Sequence, residues 1–336
     1  MAVFDVLSGD NYGVRSLTDS INKMPFVPGR AGQLGIFEEF GVSTEGILLE
    51  ERDGWLTLIP TTPRGAPATQ ATVNKMKTRT LQIPHIALED TIQASELRDV
   101  REFGTENQQA GVESEISRRQ MDHAASFDAT LEHLRVSALK GIVMDADGVT
   151  PIYDLFAEFG VSALAEVDFS FDTASVGDIR TTCHGISRDM QREMPNVMFN
   201  HIHAFCGDQF FDDLVAHDEV RAAYDRWMEG EWLRMGLVYR MFPYAGIVFE
   251  NYHGYVGATD FVNTDKAHFF PVGARGLFRN PFAPADFVET EGTMGLPRYS
   301  KQAVDPEFQR YVKLHSQSNP LPYCTRPRVL RQAKRT

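Results

Sequence analysis

The stretch from Thr105 to Lys140 constrains this chain more than any other. Val112, Ile116, Ala124, Phe127, Leu131, Leu134 and Ala138 recur at three- and four-residue steps or their sums, which lays them along one face of a helix. Thr105 with Gln108 has the capping-box spacing. Glu106, Glu113 and Glu115 fall early, Arg135 and Lys140 late, as the helix dipole favours. Gly141 supplies a C-terminal stop. At about 1.5 Å per residue such a helix is roughly 50 Å long. It is a beam, and whatever else the chain builds has to be arranged along it.

The segments before the beam are unlike it. Residues 1–35 hold Gly9, Gly13, Pro25, Pro28, Gly29, Gly32 and Gly35. Their apolar residues, such as Phe4, Val6, Phe26 and Val27, are spaced too irregularly for a helix, so the segment reads as an extended arm. Residues 44–60 read as a hairpin, with Ile47–Leu49 and Trp55–Ile59 around Asp53-Gly54. Residues 61–80 carry Arg64, Lys75, Lys77 and Arg79 with no acid, and only Val73 and Met76 as sizeable apolar groups. A connection that long is uncommon in a compact domain and usually has a task. With 44–60 it suggests a two-stranded arm projecting from the body. Residues 83–104 read as a strand followed by a short helix from about Ala94.

Beyond the beam, Asp147-Gly148 marks a second hairpin and Glu166–Phe171 a strand. Val176–Met194 reads as a helix, Val197–Phe205 as a strand, and 209–216 and 219–227 as helices. Short strands follow near 237–241, 246–250 and 267–272. Residues 278–300 read as a Pro/Gly-rich loop, and Phe308–His315 and Pro322–Leu330 as strands. The class is α+β.

With 336 residues, 43% hydrophobic and 24% charged, the chain can bury a large core. No apolar run approaches the roughly 20 residues of a membrane helix, and Asp5, Asp10 and Arg15 stand where a secretory signal would be apolar. Cys183, Cys206 and Cys324 are too scattered for a disulfide framework and read as buried thiols. The net charge of −13 argues against coating a duplex with the whole surface. The seven bases of residues 308–336, with no acid among them, read as edge-strand charges that prevent aggregation.

Chemistry-bearing motifs are sparse. His201-x-His203, with Cys206 and Asp208 nearby, puts two imidazoles on one face of a strand. A metal-dependent hydrolase is the remote alternative built on that pair. Asp145-x-Asp147-Gly148 starts like a calcium loop but lacks the later ligands, and a hairpin turn explains it with less. There is no G-x-S-x-G, H-E-x-x-H, P-loop or dinucleotide fingerprint. No catalytic, metal or cofactor site is therefore expected.

The segments RGAPA (64–68), IPHIALEDTIQASELRDVREFG (83–104) and SQSNPLPYCTRPRVL (316–330) resemble the major capsid protein E family of lambda-like tailed phages. The resemblance implies a Hong Kong 97-like capsid fold: an N-terminal arm (1–41), an extended β E-loop (42–82), a peripheral domain (83–171) with the spine helix at 105–140, an axial domain (172–302), and a return to the peripheral domain (303–336). It implies a structural subunit forming hexamers and pentamers of an icosahedral head around double-stranded DNA, located in the virion and assembled in the host cytoplasm. Expected partners are other copies, a separate scaffold protein, a portal and a decoration protein, with DNA enclosed but not read by sequence. The candidate inter-subunit contacts are Trp55, Arg64, Lys75, Lys77, Arg79, Arg98 and Arg101. The nearer alternative is an encapsulin-like nanocompartment shell, whose particles would copurify with a protein cargo.

Overall fold

The computed structural model describes residues 14–23, 29–52, 76–93, 96, 108–195, 197–229, 241–256, 259–308 and 310–336. Helices α1 (Val14–Lys23) and α2 (Arg30–Gln33) come first, then strands β1 (Phe37–Gly41), β2 (Gly46–Arg52), β3 (Met76–Gln82) and β4 (Ile86–Gln93). The long helix α3 runs from Gln108 to Lys140 and is followed by β5 (Ile142–Met144), β6 (Pro151–Asp154), α4 (Leu155–Phe159) and β7 (Val167–Asp168). Next come α5 (Asp178–Glu193), β8 (His201–Cys206), α6 (Asp208–Ala216) and α7 (Asp218–Glu229). The remaining strands are β9 (Met241–Tyr244), β10 (Ile247–Asn251), β11 (Tyr255–Val256), β12 (Thr259–Asp260), β13 (Lys266–Val272), β14 (Phe278–Phe282), β15 (Tyr299–Val304), β16 (Tyr311–Ser318), β17 (Tyr323–Cys324) and β18 (Arg331–Lys334).

The largest sheet has the order β7-β18-β13-β8-β10-β9. Successive residues of its central strands point to opposite faces, and both faces are buried. On one face His203, Phe205 and Phe270 meet Tyr252, with Phe205 ring centroids 4.6 Å from Tyr252 and 4.9 Å from Phe270. On the other, Phe269 packs 5.9 Å from Phe249 and 6.2 Å from Phe169. Helix α5 buries Ile179, Cys183, Ile186 and Met190, the three- and four-residue spacing of one helical stripe. Burying each such side chain contributes on the order of 1.5–3 kcal/mol. All three cysteines are buried free thiols, as expected.

Smaller sheets flank the beam: β1-β14-β17, β15-β16-β4, and the two-stranded β2-β3 and β5-β6. Gly141 does end the long helix, with φ +86°, and a Cβ there would lie 2.4 Å from the Phe156 ring. Glycine is needed on both counts. The β5–β6 turn is the one marked by Asp147-Gly148: Asp147 Oδ1 accepts from the Val149 and Thr150 amides, both at 2.8 Å. The carboxylate organises a turn and is not left as a calcium ligand set.

Several expectations are corrected. Part of the N-terminal arm is helical: α1 buries Leu17, Thr18 and Ile21. One of those three is a threonine, so the stripe does not stand out as apolar. The expected turn at Asp53-Gly54 and the run Trp55–Ile59 lie outside the described residues, but the partner of Ile47–Leu49 is a later segment. Ile47–Leu49 pairs with Arg79–Leu81 in an antiparallel ribbon that runs from Gly46↔Gln82 to Arg52↔Met76. A local turn preference is weak against a seven-residue ladder with Leu81 buried at its base. The Pro/Gly-rich stretch contains β14, which pairs in parallel with β1, and the start of β15. Of Pro322–Leu330 only Tyr323–Cys324 is strand, because Pro322 and Pro327 lack amides and Pro327–Val329 forms a 3-10 turn. Glu166–Phe171 shrinks to a two-residue strand. The short helix after Ala94 lies outside the described residues except at Glu96.

The C-terminal bases are not edge charges either. Strand β18 sits inside the six-stranded sheet, between β7 and β13. Its bases and the Arg335 that follows it pair with acids of other elements: Arg331 with Asp189 at 3.0 Å, Lys334 with Asp168 at 2.8 Å, Arg335 with Asp213 at 3.2 Å.

Candidate assembly surfaces

From Leu131 to Leu139 every residue of α3 is buried, charged ones included. A buried charge is tolerable only when fully paired. Here the partners come from segments far apart in the chain. The Glu132 carboxylate accepts from the Ala31 and Gly32 amides at 2.6 and 3.1 Å, and from the Tyr252 hydroxyl at 3.1 Å. Arg135 pairs with Glu39 of β1. Arg30 donates twice to Glu250 of β10, at 2.5 and 3.0 Å, and Glu250 also meets His203 Nε2 at 2.9 Å. Burial works to raise the Glu250 carboxyl, but His203 and Arg30 hold it below its ordinary value. Asp128 pairs with Arg298, whose guanidinium also donates to the Ile21 carbonyl at 3.2 Å. The beam thus ties the N-terminal arm, the large sheet and the segment leading into β15 into one body.

The β2–β3 ribbon is tied to the body at its base and at its middle. Tyr153 Oη accepts from the Gln82 amide at 2.9 Å and donates to the Gln82 carbonyl at 3.0 Å. The Arg79 guanidinium donates to the Phe159 carbonyl at 3.0 Å and lies 5.7 Å from the Phe159 ring centroid. Among the described residues no third strand joins this ribbon, and Leu48 on it is 65% exposed. Further large apolar side chains stand in water at separate places: Val149 at the β5–β6 turn, Val176 before α5, Met198 before β8, Val288, and Phe308 before β16.

Of the seven expected contact residues, Arg79 is placed against Phe159 of its own chain, and Lys77 lies in β3 opposite Glu51. Trp55, Arg64, Lys75, Arg98 and Arg101 lie outside the described residues. His201 and His203 share a strand face with ring centroids 6.1 Å apart, but His203 is engaged with Glu250. Among the described residues no group of three His, Cys, Asp or Glu side chains has the arrangement to hold a metal ion. A cavity of about 320 Å³ beside the beam is lined by Ala31, Gly32, Gly35, Phe37, Glu39 and Arg135, without a nucleophile. Sequence reasoning missed Glu132, Arg30 and Glu250. Their one signal is Glu132 itself, a charge inside a stretch whose neighbours Leu131, Leu134 and Ala138 mark the buried face.

A family model described as phage major capsid protein E matches residues 13–335. The major capsid protein of Pseudomonas phage KPP10 is 25% identical over 345 residues, covering 97% of each chain. That of Salmonella phage Felix O1 is 24% identical over 349 residues, covering 94% of each. Among solved structures, a protein assigned as the capsid protein of an E. coli CFT073 prophage aligns with a TM-score of 0.60 at 14% identity, covering 96% of this chain and 99% of that one. The capsid of a native GTA particle aligns with a TM-score of 0.51 at 11% identity, covering 93% and 92%. The likeness to these structures is one of fold.

Proposed function

The chain belongs to the phage major capsid protein E family, and on that footing we propose that it is the repeating subunit of a tailed-phage head, building hexamers and pentamers of an icosahedral shell around double-stranded DNA. The observation that carries this reading is the extent of the match, which takes in every described element from α1 to β18. The surface supports it. A ribbon that no third strand joins among the described residues, and apolar side chains exposed at scattered points, suit contacts with several neighbours at once. Trp55, Arg64, Lys75, Lys77, Arg98 and Arg101 remain proposed contacts, and Arg79 ties the β2–β3 ribbon, of which Lys77 is part, to the body through Phe159. A net charge of −13 suits a wall that has to enclose duplex without holding it. A scaffold, a portal and a decoration protein are proposed partners, with assembly in the host cytoplasm before the subunit becomes part of the virion.

The test is expression with and without the candidate scaffold, followed by negative-stain electron microscopy. Closed shells, hexameric rings or tubes are expected. A monodisperse monomer under both conditions contradicts the reading. Particles that always copurify with one enzyme, and never with DNA during infection, favour the nanocompartment shell.

A further inference from the structure

Among the described residues the sheet β15-β16-β4 ends in β15 on one side and β4 on the other, and the two edges are protected in different ways. An open edge offers unpaired amides and carbonyls to any passing strand. On β4 the protection is charge: Glu89 pairs with Lys313 at 2.6 Å and Asp90 with Arg119 at 2.5 Å. On β15 it is a helix. Thr18 Oγ1 of α1 accepts from the Ser300 amide at 3.2 Å and donates to the Ser300 carbonyl at 3.3 Å. One turn further along α1, Asn22 Nδ2 donates to the Arg298 carbonyl at 2.8 Å.

The spacing explains why a helix can do this. Residues four apart on a helix are separated by about 6 Å along its axis. Outward-facing residues of a strand recur every two positions, at about 6.6 Å. Thr18 and Asn22 therefore meet Ser300 and Arg298 in step, running in the opposite direction. Their side chains take the places that the backbone of a further antiparallel strand would take. Only Leu17 and Ile21 add buried apolar area beneath α1. Most of the remaining attachment is polar: Gln120 Nε2 to the Leu17 carbonyl at 3.4 Å, Ser20 Oγ to Gln120 Oε1 at 3.2 Å, and Arg298 to the Ile21 carbonyl at 3.2 Å.

We propose that α1 is an edge guard: it holds β15 closed so that the edge does not pair with an extended segment of another copy of this chain. The inference rests on the reading of the chain as a shell subunit, which accumulates to high local concentration before it is placed in a shell. A second copy is the relevant intruder under those conditions. The basic C-terminal strand cannot be the intruder from within, since β18 is already paired on both sides.

The experiment compares the full chain with Thr18→Val/Asn22→Leu, which keep size and lose the hydrogen bonds, and with Thr18→Ser, which keeps the hydroxyl. Amide hydrogen exchange at Ser300 is expected to be about tenfold faster in the double variant and unchanged in Thr18→Ser. Without scaffold, light scattering on a sizing column should show concentration-dependent oligomers of the double variant. Adding Gln302→Pro, which sets a proline on the same edge, should suppress them. Unchanged exchange at Ser300 overturns the proposal. So does fast exchange without extra oligomers, and so do oligomers that Gln302→Pro leaves intact. If the double variant is not recovered folded, Thr18→Val alone releases both bonds at Ser300 and carries the same readouts. Shell formation by the unaltered chain is scored separately by electron microscopy. If it fails while Gln302→Pro still suppresses the oligomers, the guard stands and the shell reading falls.

Discussion

Glu132 ends in a carboxylate with three donors around it and almost no water. A Cβ on Gly29 would lie 2.2 Å from its Cδ, so the arm has to be bare of side chain where it crosses. Glu132→Gln keeps the shape but weakens charge-assisted bonds to two amides. It should lower stability by about 1–3 kcal/mol, read from the urea midpoint of the free subunit. An unchanged midpoint would mean that the arm is held by other contacts. Lys140 shows the opposite situation at the far end of the beam. Burial pushes its ammonium down to about 8 from an ordinary 10.5. The folded value lies below the unfolded one, so the penalty is full below pH 8 and fades as pH rises toward 10.5. Lys140→Met should therefore stabilise the free subunit at neutral pH by about 1–3 kcal/mol. The pH-dependent part of that gain should vanish in alkali. A gain that does not change with pH would point to packing instead of charge.

Among the elements, α5 owes its start to a residue of α7. Glu219 accepts from the Gly177, Ile179 and Arg180 amides at 3.0 to 3.3 Å and from the Tyr244 hydroxyl at 2.8 Å. Glu219→Ala leaves those amides bare at the positive end of a helix and should cost about 1–2 kcal/mol, visible in thermal unfolding. The ribbon makes a second prediction. Replacing residues 53–75 by Asn-Gly leaves β2 and β3 paired in a tight turn. Subunit stability should be kept while stable shells are lost, and normal shells would contradict the assignment of this loop to inter-subunit contact. The beam, its glycine stop, α5 and the β5–β6 turn were legible because their signals are local: a 3.6-residue period, or a turn pair with its carboxylate. The partner of β2 was not legible. Choosing between 55–59 and 76–82 is a question of register over distance, and Asp53-Gly54 argues for the wrong answer. Helix α1 was hidden because Thr18 and Asn22 hold it on its strand, and polar residues on a buried face do not announce one. Of the buried charges on α3, Arg135 was read only as a dipole effect and Asp128 and Glu132 went unread, since their partners Glu39, Arg298, the Ala31 and Gly32 amides and Tyr252 come from distant parts of the chain.

For the whole molecule, the formal net charge is −13, and Arg331, Lys334 and Arg335 are each paired with an acid, so they do not offset it locally. Two approaching subunits repel at long range. Raising salt from about 0.1 M to about 1 M shortens the screening length from about 10 Å to about 3 Å. The early rate of assembly, followed by light scattering, should rise. A fall would show that contacts between opposite charges govern encounter. The placement of β18 also bears on how the subunit is made. Its ladder partners are β13, more than sixty residues earlier, and β7, more than 160 residues earlier. The largest sheet therefore has high contact order and closes late. A ribosome that stalls before Arg331 releases a chain with β7 unattached and one side of β13 open. Such a product lacks the strand that joins β7 to β13, so a chain truncated before Arg331 is expected to be depleted from assembled particles relative to the full chain, as a pulldown of particles would show.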